Sequence, residues 1–165
     1  MLNIGLIGAG RMGRLHAEHL ISHIPSAKLI MVADALEEVA RECAERYAIP
    51  SATQDYRAVL DHPDIQAVVI CSTPDTHAWF IEEAAQAGKH IFCEKPIAND
   101  LPSIDRTLDV VERVGVKLQV GFNRRFDAKF TASINLGMSS KMRPGYLSNG
   151  KQVGEWTTYD KNGNV

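Results

Sequence analysis

The feature that most restricts the fold of this chain is a glycine motif at the end of an apolar segment. Residues 3–7 form a short apolar run, and residues 8–13 (GAGRMG) follow it as GxGxxG at the start of a helical pattern. In this motif the first glycine permits a tight turn, the second lets the backbone approach a pyrophosphate, and the third lets helix and strand pack closely. A helix N-terminus offers N–H groups and a partial positive charge to phosphates. The residues expected at a dinucleotide's diphosphate are therefore Gly8, Gly10, Arg11, Met12 and Gly13.

An acidic residue follows the glycine motif at the expected distance. Asp34 directly follows the next apolar run, residues 28–33, and lies about 20 residues beyond Gly13. The dinucleotide fingerprint places a ribose-binding carboxylate at this distance. A carboxylate repels a 2′-phosphate, and no arginine follows, since Ala35 and Leu36 are next. The motif therefore predicts NAD as the cofactor, with NADP less favoured. The alternative is a glycine-rich turn with a capping aspartate and no ligand.

Strand-like and helical segments alternate through the first three quarters of the chain. This alternation predicts an α/β fold with a doubly wound parallel sheet of the Rossmann type over residues 1–121. We expect residues 122–165 to form a short C-terminal extension, in which Asn149-Gly150 indicates a small hairpin and residues 128–136 a short helix. The expected strands are 3–7, 28–33, 51–53, 67–72, 90–93 and 117–120, and the expected helices are 11–24, 36–47, 55–60, 76–87 and 102–114.

Composition excludes several classes of function. A net charge of −2 provides no basic surface for nucleic acid, and no apolar run is long enough to cross a bilayer. The chain opens directly on a strand pattern, so we expect a cytoplasmic protein. The three cysteines have no CxxC spacing and are expected to be free thiols. His16, His19 and His23 share one helix stripe, but no further ligand is evident, and we expect no metal site.

Three stretches resemble the glucose–fructose oxidoreductase/inositol dehydrogenase family: residues 5–20, 68–100 (including EKP) and 120–130 (VGFNRRFDAKF). The resemblance implies that Lys95 of Glu94-Lys95-Pro96 lies beside the nicotinamide and hydrogen-bonds the reacting oxygen of the substrate, and that the Lys95–Pro96 bond is a plausible cis peptide. An exposed surface lysine is the alternative. The further cofactor-lining positions implied are Ser72, Thr73, Pro74, His77, Asn123 and Arg124. Each of these positions also has a structural alternative. His77 would then simply occupy the first turn of its helix, and Arg124 and Arg125 would be an exposed pair.

The resemblance also implies a function and a missing part. It implies an NAD-dependent oxidoreductase of the inositol or sugar dehydrogenase type, which transfers a hydride between a secondary alcohol of a polyol or sugar and NAD. In that family a second domain supplies a catalytic aspartate and histidine, whereas the last histidine here is His90. We therefore expect residues 122–165 to be a truncated remnant of the substrate domain. A non-catalytic nucleotide-binding module stays open as the alternative. Apolar residues in the tail, Phe130, Ile134 and Trp156, would favour a homo-oligomer.

Overall fold

The computed structural model describes residues 1–123, 146–148 and 151–153, and the chain divides into two units, Met1–Gly121 and Phe122–Val165. Strands and helices alternate in the first unit, as the sequence predicts, and the second contains a pair of short strands. A 3-10 turn, Pro74–Thr76, precedes the fourth helix. The elements are β1 Leu2–Ile7, α1 Arg11–His23, β2 Ala27–Ala33, α2 Glu37–Tyr47, β3 Ser51–Thr53, α3 Tyr56–Leu60, β4 Ala67–Ile70, α4 His77–Gln86, β5 His90–Glu94, α5 Leu101–Val114, β6 Leu118–Gly121, β7 Tyr146–Ser148 and β8 Lys151–Val153.

The first unit is built on one parallel sheet of six strands, in the order β3-β2-β1-β4-β5-β6. This is the order of a Rossmann sheet, so the predicted fold class is confirmed. The chain runs outward from β1 in one direction through β2 and β3, and in the other through β4, β5 and β6. Between β1 and β4 the direction of winding reverses, and ligands of such sheets bind beside the carboxyl ends of the strands at this reversal.

Both faces of the sheet are buried, which explains why the strands are almost continuously apolar. Neighbouring residues of β1 enter opposite layers: Leu6 packs with Ala17 of α1 and Cys43 of α2, whereas Ile7 lies in the cluster that contains Ile81 of α4 and Val111 of α5. Helices therefore cover the sheet on both sides. The strand ends remain the place where polar and glycine residues gather.

The largest departure from the predicted bounds lies after β4. The sequence predicts a strand through Ser72, but β4 ends at Ile70, and the Cys71 N–H makes a 2.8 Å bond to Ile7 O. Beyond that point the chain turns away from the sheet, and the Thr76 hydroxyl lies 2.8 Å from the Ser72 hydroxyl. Pro74 opens a 3-10 turn, so α4 begins at His77. The apolar run of the sequence is therefore longer than the strand it contains.

The second unit contains an antiparallel pair, β7 and β8, in which Ser148 pairs with Lys151. These strands flank Asn149-Gly150, so the predicted hairpin is confirmed. The predicted helix over 128–136, together with Phe130, Ile134 and Trp156, lies outside the described residues. Within the described part of the chain, every helix is too short or too polar to span a bilayer.

Candidate functional site

The glycine loop between β1 and α1 has two glycines that the fold requires and one that it does not. Gly8 has a φ of +93°, and a Cβ there would lie 2.6 Å from the backbone of Cys71. A Cβ at Gly13 would overlap the carbonyl oxygen of Gly8. At Gly10, by contrast, no described atom lies within 4 Å of a Cβ. Gly8 and Gly13 therefore allow strand and helix to meet, and Gly10 leaves open surface beside the loop.

The start of α1 is open to an anion. Gly10 is its N-cap residue and is exposed, and the described residues provide neither a side-chain cap nor an acidic residue in the first turn. Arg11 is exposed and Met12 is half-buried. Unpaired N–H groups at a helix N-terminus bind phosphate through hydrogen bonds and the helix dipole. The open surface at Gly10 lies at this same helix start.

Asp34 follows β2 and is tied to the glycine loop. Its Oδ2 accepts a hydrogen bond of 2.7 Å from the Ala9 N–H, and its Oδ1 accepts one of 3.0 Å from the Leu36 N–H. Each carboxylate oxygen still has a lone pair for a further donor. Ala35 and Leu36 are exposed and carry no charge. The carboxylate is thus held at the loop, with no arginine directly after it.

Arg14 is a further brace of the loop that sequence reasoning missed. Its Nε donates to the carbonyl of Ala9 at 3.0 Å, and its Nη2 lies 3.0 Å from Glu42 Oε2 on α2. The sequence signal that could have indicated this role is the position of Arg14, one residue after the glycine motif and on the same helix turn.

The loop after β4 carries three of the predicted cofactor-lining residues. Ser72 is half-buried, whereas Thr73 and Pro74 are exposed. The Thr76 hydroxyl lies 2.8 Å from the carbonyl oxygen of Thr73. Short hydrogen bonds therefore fix the loop and leave Thr73 and Pro74 at the surface.

His77 is buried beneath this loop, with a relative exposure of 1%. Its Nδ1 lies 2.6 Å from Pro96 O and its Nε2 lies 3.1 Å from Ser72 O. Both ring nitrogens are therefore engaged by the backbone of two loops. The sequence predicts that His77 lines the cofactor, but its ring is enclosed in this structure. That His77 lines a bound cofactor stays a prediction.

The Glu94-Lys95-Pro96 turn follows β5. Glu94 is buried, and its Oε1 lies 2.9 Å from Nε2 of His16, while its Oε2 accepts from the Lys95 N–H at 3.3 Å. Lys95 itself is exposed, and the Lys95–Pro96 peptide is cis, as the sequence analysis expects. The backbone of the turn is thus fixed, while the lysine side chain extends to the surface.

The histidines of α1 separate into two environments. His16 contacts the Glu94 carboxylate, and its ring packs edge-on against Phe92 at 5.0 Å, whereas His19 and His23 are exposed and their rings lie 5.6 Å apart. No group of three potential ligands that could hold a metal occurs in the described residues. Sequence reasoning expected no metal site at His16, but it missed the carboxylate partner, which is distant in the chain.

The cysteines near the site are poor nucleophiles. Cys43, Cys71 and Cys93 are free, as predicted. Burial, with a smaller contribution from the Glu94 carboxylate, raises the pKa of the Cys71 thiol to about 12. Burial raises the pKa of Cys93 as well. Cys43 and Cys93 are buried and Cys71 is half-buried, and a raised thiol pKa lowers the fraction of reactive thiolate.

The parallel sheet brings most of the predicted residues to one edge. The glycine loop, Asp34, the Ser72 loop and the Lys95 turn follow the carboxyl ends of β1, β2, β4 and β5, which are neighbours in the sheet. Asn123 is exposed and belongs to the second unit, and Arg124 lies outside the described residues. The edge thus combines an uncapped helix start, a carboxylate and an exposed cation.

Comparison with known proteins gives this edge a chemical context. Residues 2–122 match the model of an oxidoreductase family with an NAD-binding Rossmann fold. The chain is 48% identical over 126 residues to the uncharacterized oxidoreductase YrbE of Bacillus subtilis, covering 76% of this chain and 37% of that protein. It is 47% identical over 131 residues to inositol 2-dehydrogenase of Rhizobium meliloti, covering 79% of this chain and 39% of the relative.

A solved structure shows the same likeness. The scyllo-inositol dehydrogenase of Lactobacillus casei, crystallised with NAD(H) and scyllo-inositol, is 34% identical with a TM-score of 0.75, covering 82% of this chain and 40% of that one. The chain therefore spans well under half the length of the proteins it matches. The family match and the identities to long stretches of these relatives lead to one assignment. This chain belongs to the glucose–fructose oxidoreductase/inositol dehydrogenase family, and residues 2–122 are its NAD-binding Rossmann domain.

Proposed function

We propose that this chain is the cofactor-binding part of an NAD-dependent dehydrogenase that oxidises a secondary alcohol of a polyol or sugar. The observation that carries the proposal is the exposed Lys95 on a fixed turn after β5, at the same sheet edge as the glycine loop. A cation there stabilises an alcohol oxygen as its proton is lost. In this proposal residues 1–121 form the cofactor domain, and residues 122–165 form a C-terminal extension.

The residues of the edge fit a dinucleotide laid across the strands. Asp34 would hold the ribose of the adenosine, and the N–H groups at the start of α1 would hold the diphosphate beside Gly10. The nicotinamide would lie beyond β1, toward the loops after β4 and β5. The bound cofactor supplies the hydride acceptor. The proposed contacts are Gly8, Gly10, Arg11, Met12, Gly13, Asp34, Ser72, Thr73, Pro74, Glu94, Lys95, Asn123 and Arg124, with His77 acting through its loops.

Lys95 has two tasks in this proposal. Its ammonium group donates a hydrogen bond to the substrate oxygen, which orients the alcohol carbon toward the cofactor. The same positive charge favours the alkoxide that develops as the hydroxyl proton passes to a general base, a role that the resemblance assigns to the histidine of the family's second domain. In the reverse reaction it polarises the carbonyl. Because the Glu94 carboxylate on the preceding residue is paired with His16, the charge of Lys95 stays available to the substrate.

A non-catalytic nucleotide-binding module is the second candidate. It is favoured by one observation: the family match covers an NAD-binding fold, residues 2–122, and so supports cofactor binding rather than substrate binding. In this case the chain binds NAD through the same residues but does not position a substrate. Both candidates predict NAD binding, and only the first predicts turnover.

Two measurements separate the candidates. Calorimetric titration with NAD tests binding, and NADH absorbance with myo-inositol, scyllo-inositol and a panel of sugars tests turnover. Turnover that Lys95→Ala abolishes while NAD still binds supports the dehydrogenase. Binding without turnover on any substrate supports the module. A folded chain that ignores NAD at concentrations of about a millimolar contradicts both, because dinucleotide enzymes work near or below this range.

A further inference from the structure

The two residues that flank Lys95 are each held by a histidine from a different helix. His16 of α1 contacts the carboxylate of Glu94, and His77 of α4 contacts the carbonyl of Pro96. Lys95 between them is exposed. Neither histidine belongs to β5 or to the turn, so these contacts tie the lysine to two other parts of the site.

The contact of His16 joins the turn to the phosphate-binding helix. Its Nε2 lies 2.9 Å from Glu94 Oε1, and the side chains are 23% and 10% exposed. A partly buried contact of this kind is less weakened by solvent than a surface pair. Gly121 of β6 lies on the other side of the carboxylate, where an added Cβ would be 3.1 Å from Glu94 Oε1. Glu94 thus lies between α1 and β6, and the glycine leaves room for its carboxylate.

The contacts of His77 join the turn to the loop after β4. Its ring spans from Pro96 O at 2.6 Å to Ser72 O at 3.1 Å, and it is almost fully buried. A buried imidazole packed between two loops restrains their separation, because a ring N–H that donates to one of the two carbonyls would lose its partner if the loops moved apart. The two loops bracketing the proposed nicotinamide position are therefore linked through one side chain.

We propose that His16 and His77 are positioning residues that hold the Lys95 turn and the Ser72 loop against the nicotinamide half of the cofactor. The inference rests on the proposed function, because it assigns these loops to the nicotinamide. It has a specific consequence: weakening either contact reduces the binding of the nicotinamide half and leaves that of the adenosine and diphosphate unchanged. The proposal assigns the adenosine and diphosphate to Asp34 and the glycine loop, whose hydrogen bonds involve neither histidine.

The test compares two ligands on the full chain. NADH contains the whole dinucleotide, whereas ADP-ribose lacks the nicotinamide. For His16→Phe, which keeps a ring beside Phe92 but removes the nitrogen, we expect NADH affinity to fall about tenfold, the equivalent of one lost hydrogen bond to a charged group. ADP-ribose affinity should stay within about twofold, below the effect of any single hydrogen bond. His16→Gln, which retains a donor, should recover most of the loss.

His77→Asn and a control complete the set. His77→Asn retains one amide donor and should lose NADH affinity in the same selective way. If that variant does not fold, His16→Phe alone decides the question. His19→Phe is the matched control, because His19 is exposed on the same helix and its ring contacts His23. It should leave both affinities unchanged.

The outcomes separate the inference from the proposed function. Equal losses of NADH and ADP-ribose affinity in folded His16→Phe overturn the inference, since they indicate a general structural effect. Unchanged NADH affinity in that variant also overturns it. Equal affinities of the wild type for NADH and ADP-ribose overturn it as well, because the turn would then contribute nothing to the binding of the nicotinamide half. A wild type that binds neither ligand refutes the proposed function instead.

Discussion

The carboxylate of Asp34 accepts a 2.7 Å hydrogen bond from the backbone N–H of Ala9, in the middle of the glycine loop. This bond ties the end of β2 to the turn that follows β1. It places the proposed ribose-binding group and the proposed phosphate-binding loop in a fixed relation before any ligand binds. A preorganised site of this kind loses little free energy to ordering on binding.

The first prediction concerns the choice between NAD and NADP. Asp34→Asn keeps an oxygen that can accept from Ala9 but removes the negative charge. We expect NAD affinity to fall by at least about tenfold, because a ribose hydroxyl donates more strongly to a carboxylate than to an amide. NADP affinity should fall less or rise, since the repulsion of its 2′-phosphate is relieved. Calorimetry with both cofactors measures the ratio, and an unchanged ratio contradicts the placement of the ribose.

The second prediction uses the difference between two glycines of the same loop. Gly13→Ala places a methyl group against the carbonyl oxygen of Gly8, so we expect the free energy of unfolding to fall by about 3 kcal/mol, as for severe overpacking. Gly10→Ala meets no described atom and should leave stability within about 1 kcal/mol. Urea unfolding measures both changes.

The same pair separates stability from binding. Gly10→Val should remain folded and lose NAD affinity by more than about tenfold, because its side chain occupies the surface left for the diphosphate. A folded Gly10→Val variant that binds NAD as the wild type does would contradict the proposed position of the diphosphate.

Sequence reasoning predicted the fold because its signals are local. The alternation of apolar runs with helical patterns and the glycine motif between β1 and α1 both lie within short segments, and the structure confirms them. The carboxyl-edge location of Asp34 and Lys95 follows from the parallel sheet once the strands are known. The end of β4 was predicted two residues too late, because apolar character continues into Cys71 after the strand pairing ends.

What sequence reasoning missed depends on contacts between distant segments. His16 and Glu94 are far apart in the chain, and only the packing of α1 beside β5 brings them together. The burial of His77 is of the same kind, since its partners, Ser72 and Pro96, belong to two different loops. Spacing along one helix placed His16 on a stripe with His19 and His23 and placed His77 in the first turn of its helix, but it contains no information about their partners on other segments.

The third prediction concerns the thiols. Burial raises the pKa of Cys71 from its ordinary value of 9.0 to about 12, and it raises those of Cys43 and Cys93 as well. The folded state therefore keeps its protons where the unfolded chain would lose them. The contribution to stability is full below the unfolded value of 9.0 and declines as the pH rises from there toward about 12.

Two measurements check the thiol prediction. At about pH 8 a thiol reagent should label the native protein slowly and the urea-unfolded protein rapidly, since only the thiolate reacts. Cys71→Ala should lessen the decline of the free energy of unfolding above about pH 9. Rapid labelling of all three thiols in the native protein, or an identical alkaline decline in the variant, would count against the burial described above.

The last prediction concerns a buried amine outside the site. Lys89 is 8% exposed, and its Nζ donates to the carbonyls of His62 at 2.9 Å and Ile65 at 2.8 Å. These bonds join the start of β5 to the loop before β4. Lys89→Met fills a similar volume but leaves both carbonyls without this donor. The free energy of unfolding should therefore fall by about 2 kcal/mol.

Lys117→Met is the matched control, because Lys117 is exposed beside the start of β6. Its change in the free energy of unfolding should stay within about 0.5 kcal/mol, as for an ordinary surface substitution. NAD affinity should be unchanged in both variants, since the loop before β4 lies at the amino ends of the strands, opposite the proposed site. Equal free energies of unfolding for the two variants would contradict the predicted loss of stability, since water would then replace the amine without cost. A loss of NAD affinity in Lys89→Met alone would contradict the predicted separation of Lys89 from the site.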